Sequence, residues 1–315
     1  MRPLWKDVLI AVWVGMILPG IVLNAAVWKE KNSQTLQMQV LHQEEQQENI
    51  HTILLKNPDG TIAQMDLDSY LTGVLLAEMP AEFHQEALKA QSVAARTFTW
   101  KAYTTGGKHG DGSVCTDPAC CQAYIDDEAY LSRGGTRESL EQASRAVHAT
   151  SGFVLAFDGE LIEATYFASA SGSTEAAVAV WGAEYPYLQA VSSPEEVSEV
   201  TVSFTGEAFQ DLLGTTLSGD PLDWFGPVIY TEGEGVAFMD ICGENYSGVQ
   251  LRQLLGLRST AFRIQAADQT VVITTRGYGH RVGMSQYGAN TMAEAGSAWQ
   301  EILQHYYQGA ILIPI

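Results

Sequence analysis

Two neighbouring segments predict the helical part of the fold: Tyr70-Leu-Thr-Gly-Val-Leu-Leu-Ala-Glu-Met-Pro80 and Glu86-Ala-Leu-Lys-Ala-Gln-Ser-Val-Ala-Ala-Arg-Thr-Phe98. In the first, apolar residues recur at helical spacing, at Leu71, Val74, Leu75 and Met79. Pro80 cannot continue a helix and disfavours helical geometry at the preceding residue, so Glu78 falls in the last turn. A carboxylate there faces the partial negative charge of the helix end, which disfavours its ionised form. Glu78 is therefore predicted to be an acid that can donate a proton near neutral pH.

The rest of the chain changes from helical to strand periodicity. Helices are predicted over about 67–79, 84–103 and 136–149, the last with Thr136 as N-cap. Asp158-Gly159 between two apolar runs, 153–157 and 161–167, indicates a β-hairpin. Further strands are expected at 226–231, 236–242, 261–266 and 270–275, and short helices near 205–213, 247–255, 286–295 and 298–308. Helices first and strands later predict an α+β fold, rich in antiparallel strands, with a smaller lobe inserted at about 195–260.

The N-terminal region predicts a membrane-anchored protein. Residues 1–7 form a short leader that we expect in the cytoplasm, and residues 8–28 are an uncharged apolar run of transmembrane length. A cleaved signal peptide is the alternative, although Asn24-Ala-Ala26 is a poor cleavage site. Residues 29–51, rich in Gln and Glu, are predicted to be a polar spacer before a catalytic domain at 52–315.

Composition narrows the range of partners. The chain has 315 residues, of which 46% are hydrophobic, so it can form a sizeable core. Its formal net charge is −20, which disfavours binding to nucleic acid and to anionic lipid.

Two further segments extend the pattern of the first two. One is Arg276-Gly-Tyr-Gly-His-Arg-Val-Gly-Met-Ser-Gln-Tyr-Gly-Ala289, and a less specific one is Tyr166-Phe-Ala-Ser-Ala-Ser-Gly-Ser-Thr174. Together these segments resemble the stage II sporulation protein D family, membrane-anchored lytic transglycosylases of bacterial spore formation. The resemblance implies cleavage of peptidoglycan between N-acetylmuramic acid and N-acetylglucosamine, with the sugar's own 6-hydroxyl as nucleophile and a 1,6-anhydro end as product. It also matches Glu78 to the family's catalytic acid, whereas a structural pairing with Lys89 or Arg96 is the alternative.

Polar residues of the same segments are candidates for substrate binding. The resemblance places His280, Ser285, Gln286 and Tyr287 around the sugar subsites, and a buried, satisfied histidine is the alternative for His280. Tyr70, Lys89 and Arg96 are further candidates, although Lys89 and Arg96 share one helical face and suit a structural ion pair equally well. Ser169 and Ser171 are either hydrogen-bond donors at a cleft edge or ordinary turn residues. Trp181, Tyr185 and Tyr187 are either a sugar-stacking platform or core. Arg281 and Ser173 stand where the family typically has glycine.

One polar loop carries a cluster of soft metal ligands: His109, Cys115, Cys120 and Cys121. Four such ligands suit a closed tetrahedral zinc site, and some family members resemble this loop with a His/Cys zinc cluster at matching positions. A disulfide is the competing use outside the cytoplasm, and Cys242 is expected to be a lone buried thiol. We predict structural zinc and no cofactor for catalysis.

The biological setting comes from the resemblance alone. It implies a domain outside the cytoplasm, anchored in the mother-cell membrane and facing the septal space beside the forespore. There it would thin septal peptidoglycan during engulfment, with a cell-wall amidase and a membrane scaffold as partners. Two other readings stay open: a non-catalytic, peptidoglycan-binding enhancer of a cell-wall amidase, and a zinc hydrolase that uses the His109 cluster.

Overall fold

A computed structural model describes residues 52–315, with the side chain of Ala267 excepted. The leader, anchor and spacer predicted for 1–51 lie outside the described residues. Residues 52–315 belong to one compact unit. Within that range, no helix has both the length and the apolar character needed to cross a bilayer.

The helices of the described range are numbered in chain order. They are α1 Leu67–Glu78, α2 Gln85–Thr105, α3 Asp127–Ser132, α4 Arg137–Ala149, α5 Ala177–Trp181, α6 Gly206–Leu213, α7 Gly248–Leu254, α8 Gln286–Glu294 and α9 Trp299–Tyr306. A short 3-10 turn, Pro221–Asp223, lies between α6 and α7.

The strands form five small sheets. They are β1 Thr52–Lys56, β2 Ile62–Asp66, β3 Ser113–Cys115, β4 Phe153–Phe157, β5 Glu160–Leu161, β6 Tyr166–Phe167, β7 Glu199–Thr205, β8 Phe225–Tyr230, β9 Val236–Ile241, β10 Glu244–Ser247, β11 Phe262–Ala267, β12 Thr270–Arg276, β13 Met284–Ser285 and β14 Ile311–Pro314. The strand orders are β2-β1-β3, β10-β9-β8, β11-β12-β7, β13-β6 and β14-β4-β5.

Local capping fixes the helix that carries Glu78. The Asp66 side chain accepts a hydrogen bond from the Ser69 amide at 2.8 Å, and so caps the N-terminus of α1. As predicted, the helix ends at Glu78, and Met79 is extended, with φ −129° and ψ 146°, before Pro80. Glu78 therefore occupies the last helical position of α1.

The mixed α+β class is confirmed, but the expected order of helices first is wrong. The hairpin β1–β2 precedes α1, and two strand pairs are parallel: β1 with β3, and β6 with β13. The Asp158-Gly159 turn is present, with φ values of 50° and 86°. However, the predicted 161–167 strand is split, because the chain turns at Glu163, whose carbonyl accepts from the Thr165 amide at 2.9 Å.

Two hydrophobic clusters stabilise the unit. The first surrounds α1 and α2 and also contains the buried faces of α4, α8 and α9. The second is built from the β7–β12 region with α6 and α7, and its fully buried members include Phe209, Ile241, Leu251 and Ile273. Between them runs the segment 276–285, which leads from β12 to β13.

Candidate active site

Glu78 opens onto a cleft of about 640 Å³. The lining residues come from the end of α1, from α2, from the loop after α2, from the β6 region, from α5 and from the segment after β12. They are Glu78, Phe98, Lys108, Pro118, Ala119, Cys121, Gln122, Ala164, Thr165, Tyr166, Phe167, Ala168, Trp181, Tyr278, Gly279 and His280. All four of the segments singled out in the sequence, 70–80, 86–98, 166–174 and 276–289, therefore contribute residues to one cleft.

The Glu78 carboxylate is half-buried and held from two sides. Oε1 accepts a hydrogen bond from the Ala123 amide at 3.0 Å, and Oε2 accepts one from Gln286 Nε2 at 3.4 Å. Burial raises the pKa of Glu78 above its ordinary value, whereas the two hydrogen bonds favour the ionised form and oppose the shift. The result is an oriented carboxyl group with a raised pKa, which is the property a general acid needs.

A buried hydrogen-bond chain lies behind the carboxylate. Gln122 donates to the hydroxyl groups of Tyr70 at 3.3 Å and Thr99 at 3.0 Å, and it accepts from the Tyr166 hydroxyl at 3.0 Å. Burial and the nearby charge of Glu78 keep the pKa of Tyr166 well above its usual range, so its hydroxyl stays protonated. This chain fixes Tyr166 in the cleft wall. No motif in the sequence points to Gln122, because its role depends entirely on tertiary contacts.

His280 forms another wall of the cleft. Its Nδ1 accepts from the Val282 amide at 3.1 Å, and its ring lies 5.6 Å from that of Phe167 and 5.3 Å from that of Trp181, centroid to centroid. Burial, followed by the positive charge of Arg252, lowers the pKa of His280 to about 4. The imidazole is therefore neutral at physiological pH and suits hydrogen bonding to a sugar rather than cationic chemistry.

Two aromatic side chains reach solvent at the cleft. Trp181 is 44% exposed and Tyr278 is 51% exposed, and exposed rings of this size suit stacking against a sugar. By contrast, Tyr187 is buried and Tyr185 packs against the first hydrophobic cluster. Of the three aromatic residues weighed as a stacking platform, only Trp181 lines the cleft.

Of the other residues in the His280 segment, Gln286 alone contacts Glu78. Ser285 is buried; its hydroxyl donates to Glu195 at 2.7 Å and accepts from the Gly288 amide at the start of α8. Tyr287 is 49% exposed, but it packs edge-on against Phe83 and does not line the cleft. Ser285 therefore caps the start of α8, the helix that carries Gln286, and does not itself line the cleft.

Ser169 and Ser171 belong to a loop that Glu195 organises. The buried Glu195 carboxylate accepts from the Ser171 amide at 3.0 Å, in addition to the Ser285 hydroxyl. The Ser169 and Ser171 hydroxyls lie 3.1 Å apart, and Ser171 is 1% exposed. Neither residue lines the cleft, so their visible role is to shape the loop beside it.

Three predicted substrate-binding residues lie away from the cleft. Arg96 is fully buried and donates to Asp68 at 3.1 Å and to the Val147 carbonyl of α4 at 3.0 Å. These contacts fit the structural ion pair and not a substrate-binding role. Lys89 pairs with Glu86 at 2.6 Å on α2. Tyr70 is fully buried and bonded to Gln122. Their side chains support the fold rather than facing the cleft, because helical spacing places them on the packed faces of α1 and α2.

The four metal-ligand candidates converge beside the cleft. The ligand atoms of His109, Cys115, Cys120 and Cys121 all lie within 4.8 Å of one another. His109 Nε2 is 3.7 Å from Cys120 Sγ and 3.6 Å from Cys121 Sγ, and the two sulfurs are 3.9 Å apart. Ligand atoms around tetrahedral zinc, with Zn–S of about 2.3 Å, are about 3.8 Å apart, so the set fits a zinc ion.

This geometry does not describe a disulfide, whose sulfurs are about 2 Å apart, and all cysteines in the described part of the chain are free thiols. Cys242 is exposed, with φ 51°, so the expectation of a buried thiol is wrong. It follows β9 in a tight turn, which places it at the surface.

Arg281 occupies the position after His280 with φ 65°, a conformation that favours glycine. Its guanidinium is buried against Glu175 at 3.3 Å and donates to the carbonyls of Ser173 at 2.6 Å and Gly233 at 2.7 Å. Arg281 thereby ties the His280 loop to the β8–β9 connection. Arg281 stands where the family typically has glycine, and the buried ion pair offsets the cost of its backbone conformation. The sequence did not predict this ion pair.

Among the described residues that line the cleft, Glu78 is the only acid. A pair of carboxylates is the usual arrangement for hydrolysis of a glycosidic bond by water. A single acid with a raised pKa suits instead a reaction in which the same group first donates and then accepts a proton.

Comparisons with known proteins show the family of the chain. A profile of the SpoIID family, described as "Stage II sporulation protein", matches residues 57–157. The chain is 38% identical over 263 residues to stage II sporulation protein D of Bacillus amyloliquefaciens, covering 81% of this chain and 76% of that protein. It is 37% identical to stage II sporulation protein D of Bacillus subtilis (strain 168) with the same coverage. An amidase enhancer of Bacillus subtilis (strain 168) is 28% identical over 77% of this chain and 40% of that protein.

Proposed function

The chain belongs to the stage II sporulation protein D family, and we propose that it is a peptidoglycan lytic transglycosylase with Glu78 as its acid and base. The main support for the proposal is that Glu78 is the only acid among the described residues that line the cleft. Its carboxyl group is half-buried, and two hydrogen bonds orient it.

In the first step, protonated Glu78 donates its proton to the glycosidic oxygen between N-acetylmuramic acid and N-acetylglucosamine. The bond from that oxygen to the anomeric carbon breaks, and positive charge develops on the sugar ring. The carboxylate left on Glu78 is stabilised by the Ala123 amide and by Gln286.

In the second step, the 6-hydroxyl oxygen of the same muramic acid forms a bond to the anomeric carbon. The Glu78 carboxylate accepts the hydroxyl proton, which closes the 1,6-anhydro ring and regenerates the acid. No water is consumed, so no second carboxylate is needed to activate it.

The cleft walls suit a neutral, extended sugar chain. Trp181 and Tyr278 offer exposed ring faces, and neutral His280 and Tyr166 offer hydrogen-bonding groups. We assign these four residues to binding and orienting the glycan on either side of Glu78.

The His109 cluster would hold a structural zinc ion through His109, Cys115, Cys120 and Cys121. A four-ligand site leaves no open position for a reacting water, so the ion would supply folding stability and no chemistry. Its place in the mechanism is indirect: the loop that it would fix carries Ala123, whose amide contacts Glu78.

The cellular setting follows from the family. We propose that residues 8–28 anchor the chain in the mother-cell membrane and that the domain faces the septal space beside the forespore. There it would remodel septal peptidoglycan during engulfment, with a cell-wall amidase and a membrane scaffold as partners.

A second candidate function is suggested by the likeness to an amidase enhancer. In that case the cleft would bind glycan and stimulate an amidase without breaking a glycosidic bond. The intact Glu78 environment favours the enzyme, because a binding module has no need of an acid with a raised pKa.

The Glu78→Gln variant of the full chain separates the two candidates. Gln keeps the size of the side chain but cannot donate the proton, so we expect loss of anhydro products from purified glycan strands with the fold intact by thermal unfolding. Glu163→Gln, which removes an acid that pairs with Lys101 outside the cleft lining, is the matched control. Equal product yields from wild type and Glu78→Gln would move the assignment to the binding module.

A further inference from the structure

Two arginines, Arg252 on α7 and Arg258 just after that helix, lie beside the cleft lining without being part of it, and neither forms an ion pair among the described residues. The ion pairs of the described residues use seven lysines and arginines, and neither Arg252 nor Arg258 is among them. Lys56, Lys108, Arg133 and Arg137 are also outside these ion pairs. What distinguishes Arg252 and Arg258 is their position beside residues that line the cleft.

Arg258 is fixed against the cleft wall. Its guanidinium carbon lies over the Tyr278 ring, 4.5 Å from the centroid, and its carbonyl accepts from the Gly279 amide at 2.9 Å. Tyr278 and Gly279 both line the cleft. A guanidinium that stacks on an aromatic ring keeps its N–H donors, which lie in the plane of the group, available to a ligand.

Arg252 lies near the same wall, on α7. Its carbonyl accepts from the Leu257 amide at 2.9 Å, so the turn after α7 holds Arg252 and Arg258 on one short segment. The charge of Arg252 contributes to lowering the pKa of His280, which lines the cleft. Arg252 is also half-buried, and a partly desolvated guanidinium without a counter-charge is costly unless a ligand provides one.

We propose that Arg252 and Arg258 form a carboxylate-binding subsite at the Tyr278 end of the cleft and read an anionic group carried by the glycan. The inference rests on the proposed function, because it takes the cleft to bind peptidoglycan. Paired guanidinium groups recognise carboxylates through charge-assisted, often bidentate hydrogen bonds.

Peptidoglycan carries carboxylates in two places. The lactyl ether of N-acetylmuramic acid ends in a free carboxylate when the strand has no stem peptide, whereas in an intact strand that group is an amide. The stem peptide has carboxylates of its own. The subsite chemistry is the same for both sources, so the substrates of the test must distinguish them.

The test measures equilibrium binding of the full chain in the Glu78→Gln background, where turnover does not interfere. Three glycan preparations serve as ligands: strands without stem peptides, the same strands with each lactyl carboxylate converted to a neutral methylamide, and strands that keep their stem peptides. The variants are Arg252→Gln with Arg258→Gln, the same two positions changed to Lys, and Arg263→Gln as control. Arg263 is an exposed arginine of β11 that pairs with Glu199.

We expect the double Gln variant to bind peptide-free strands about 10- to 100-fold more weakly, the range for losing hydrogen bonds to a charged group. It should bind the methylamide strands as wild type does, and the double Lys variant should lose less. A loss confined to peptide-bearing strands would also support the subsite and would identify the stem peptide as the source.

Equal binding by wild type and the double Gln variant on all three preparations would overturn the proposal. So would an equal loss on all three, since that would indicate a packing role beside Tyr278. Thermal unfolding of each variant separates misfolding from lost recognition. Product release by the Glu78→Gln protein is measured alongside binding: released anhydro products would contradict the catalytic assignment, whereas the subsite is judged from binding alone.

Discussion

The buried ion pair between Glu175 and Arg281 offers a demanding test of how the His280 loop is held. Both side chains are 1% exposed and lie 3.3 Å apart. Glu175→Gln keeps the shape of the side chain and removes only its charge. Breaking one side of a buried pair typically costs about 3–5 kcal/mol, because the other charge stays buried without compensation.

The structure places the expected cost at the lower end of this range. Arg281 also donates to the carbonyls of Ser173 and Gly233, and these bonds survive the change. We therefore expect Glu175→Gln to lower the free energy of unfolding by about 3 kcal/mol. For a unit of this size the melting temperature should fall by about 6–12 °C, and activity on glycan should fall as well, because His280 adjoins Arg281.

The double variant Glu175→Gln/Arg281→Gly should recover part of the lost stability, since it also gives up the hydrogen bonds from Arg281 to the carbonyls of Ser173 and Gly233. It removes the stranded charge, and glycine adopts the φ of 65° at position 281 without strain. The control is Glu234→Gln, whose partner Arg276 lies in a largely exposed pair, where the expected loss is below about 1 kcal/mol.

The measurements are urea and thermal unfolding of wild type and of the three variants at neutral pH. Two results would refute the reasoning: a Glu175→Gln protein within about 1 kcal/mol of wild type, or a double variant as unstable as the single one. Either would mean that the pair does not hold the loop electrostatically.

Three further predictions concern the cleft. Gln286→Met removes a hydrogen-bond donor to the Glu78 carboxylate, so the pKa of Glu78 should rise further. Because the acid acts in its protonated form, the alkaline limb of the pH–rate profile should then move to higher pH. An unmoved alkaline limb would contradict this contact. Chelation should lower the melting temperature, added zinc should restore it, and Cys121→Ser should lose the zinc measured per chain; full stability without metal would argue against structural zinc. His280→Gln should lower activity but leave the shape of the profile between about pH 5 and 8 unchanged, since burial lowers the pKa of His280 to about 4; a lost ionisation near pH 6.5 would show that the histidine is charged in the free enzyme.

Features that depend on neighbouring residues were predictable from the sequence. Pro80 ends α1 at Glu78, Thr136 caps α4 by accepting from the Ser139 amide at 3.1 Å, and Asp158-Gly159 forms the expected turn. In each case the physical cause lies within a few residues of its effect. The grouping of the zinc-ligand candidates is predictable for the same reason, because all four lie within residues 109–121.

Features that depend on tertiary contacts were not predictable. Arg96 and Lys89 carry charges that suit a ligand. In the folded chain, packing places Arg96 beside Asp68 and Lys89 beside Glu86, and they form ion pairs there. Conversely, Gln122, Glu195 and Glu175 stand in segments without a motif, and their importance comes from the groups that the fold brings to them. The early hairpin β1–β2 was missed because its second strand is mostly exposed and lacks an apolar pattern.

The central claim is that one acid breaks the glycosidic bond without water, and isotope labelling tests it most directly. The wild-type full chain is incubated with peptide-free glycan in water enriched in oxygen-18, and the masses of the products are measured by mass spectrometry. The account predicts 1,6-anhydro ends that carry no label. Labelled reducing ends would show that water attacks the anomeric carbon, and the single-acid mechanism at Glu78 would then be wrong.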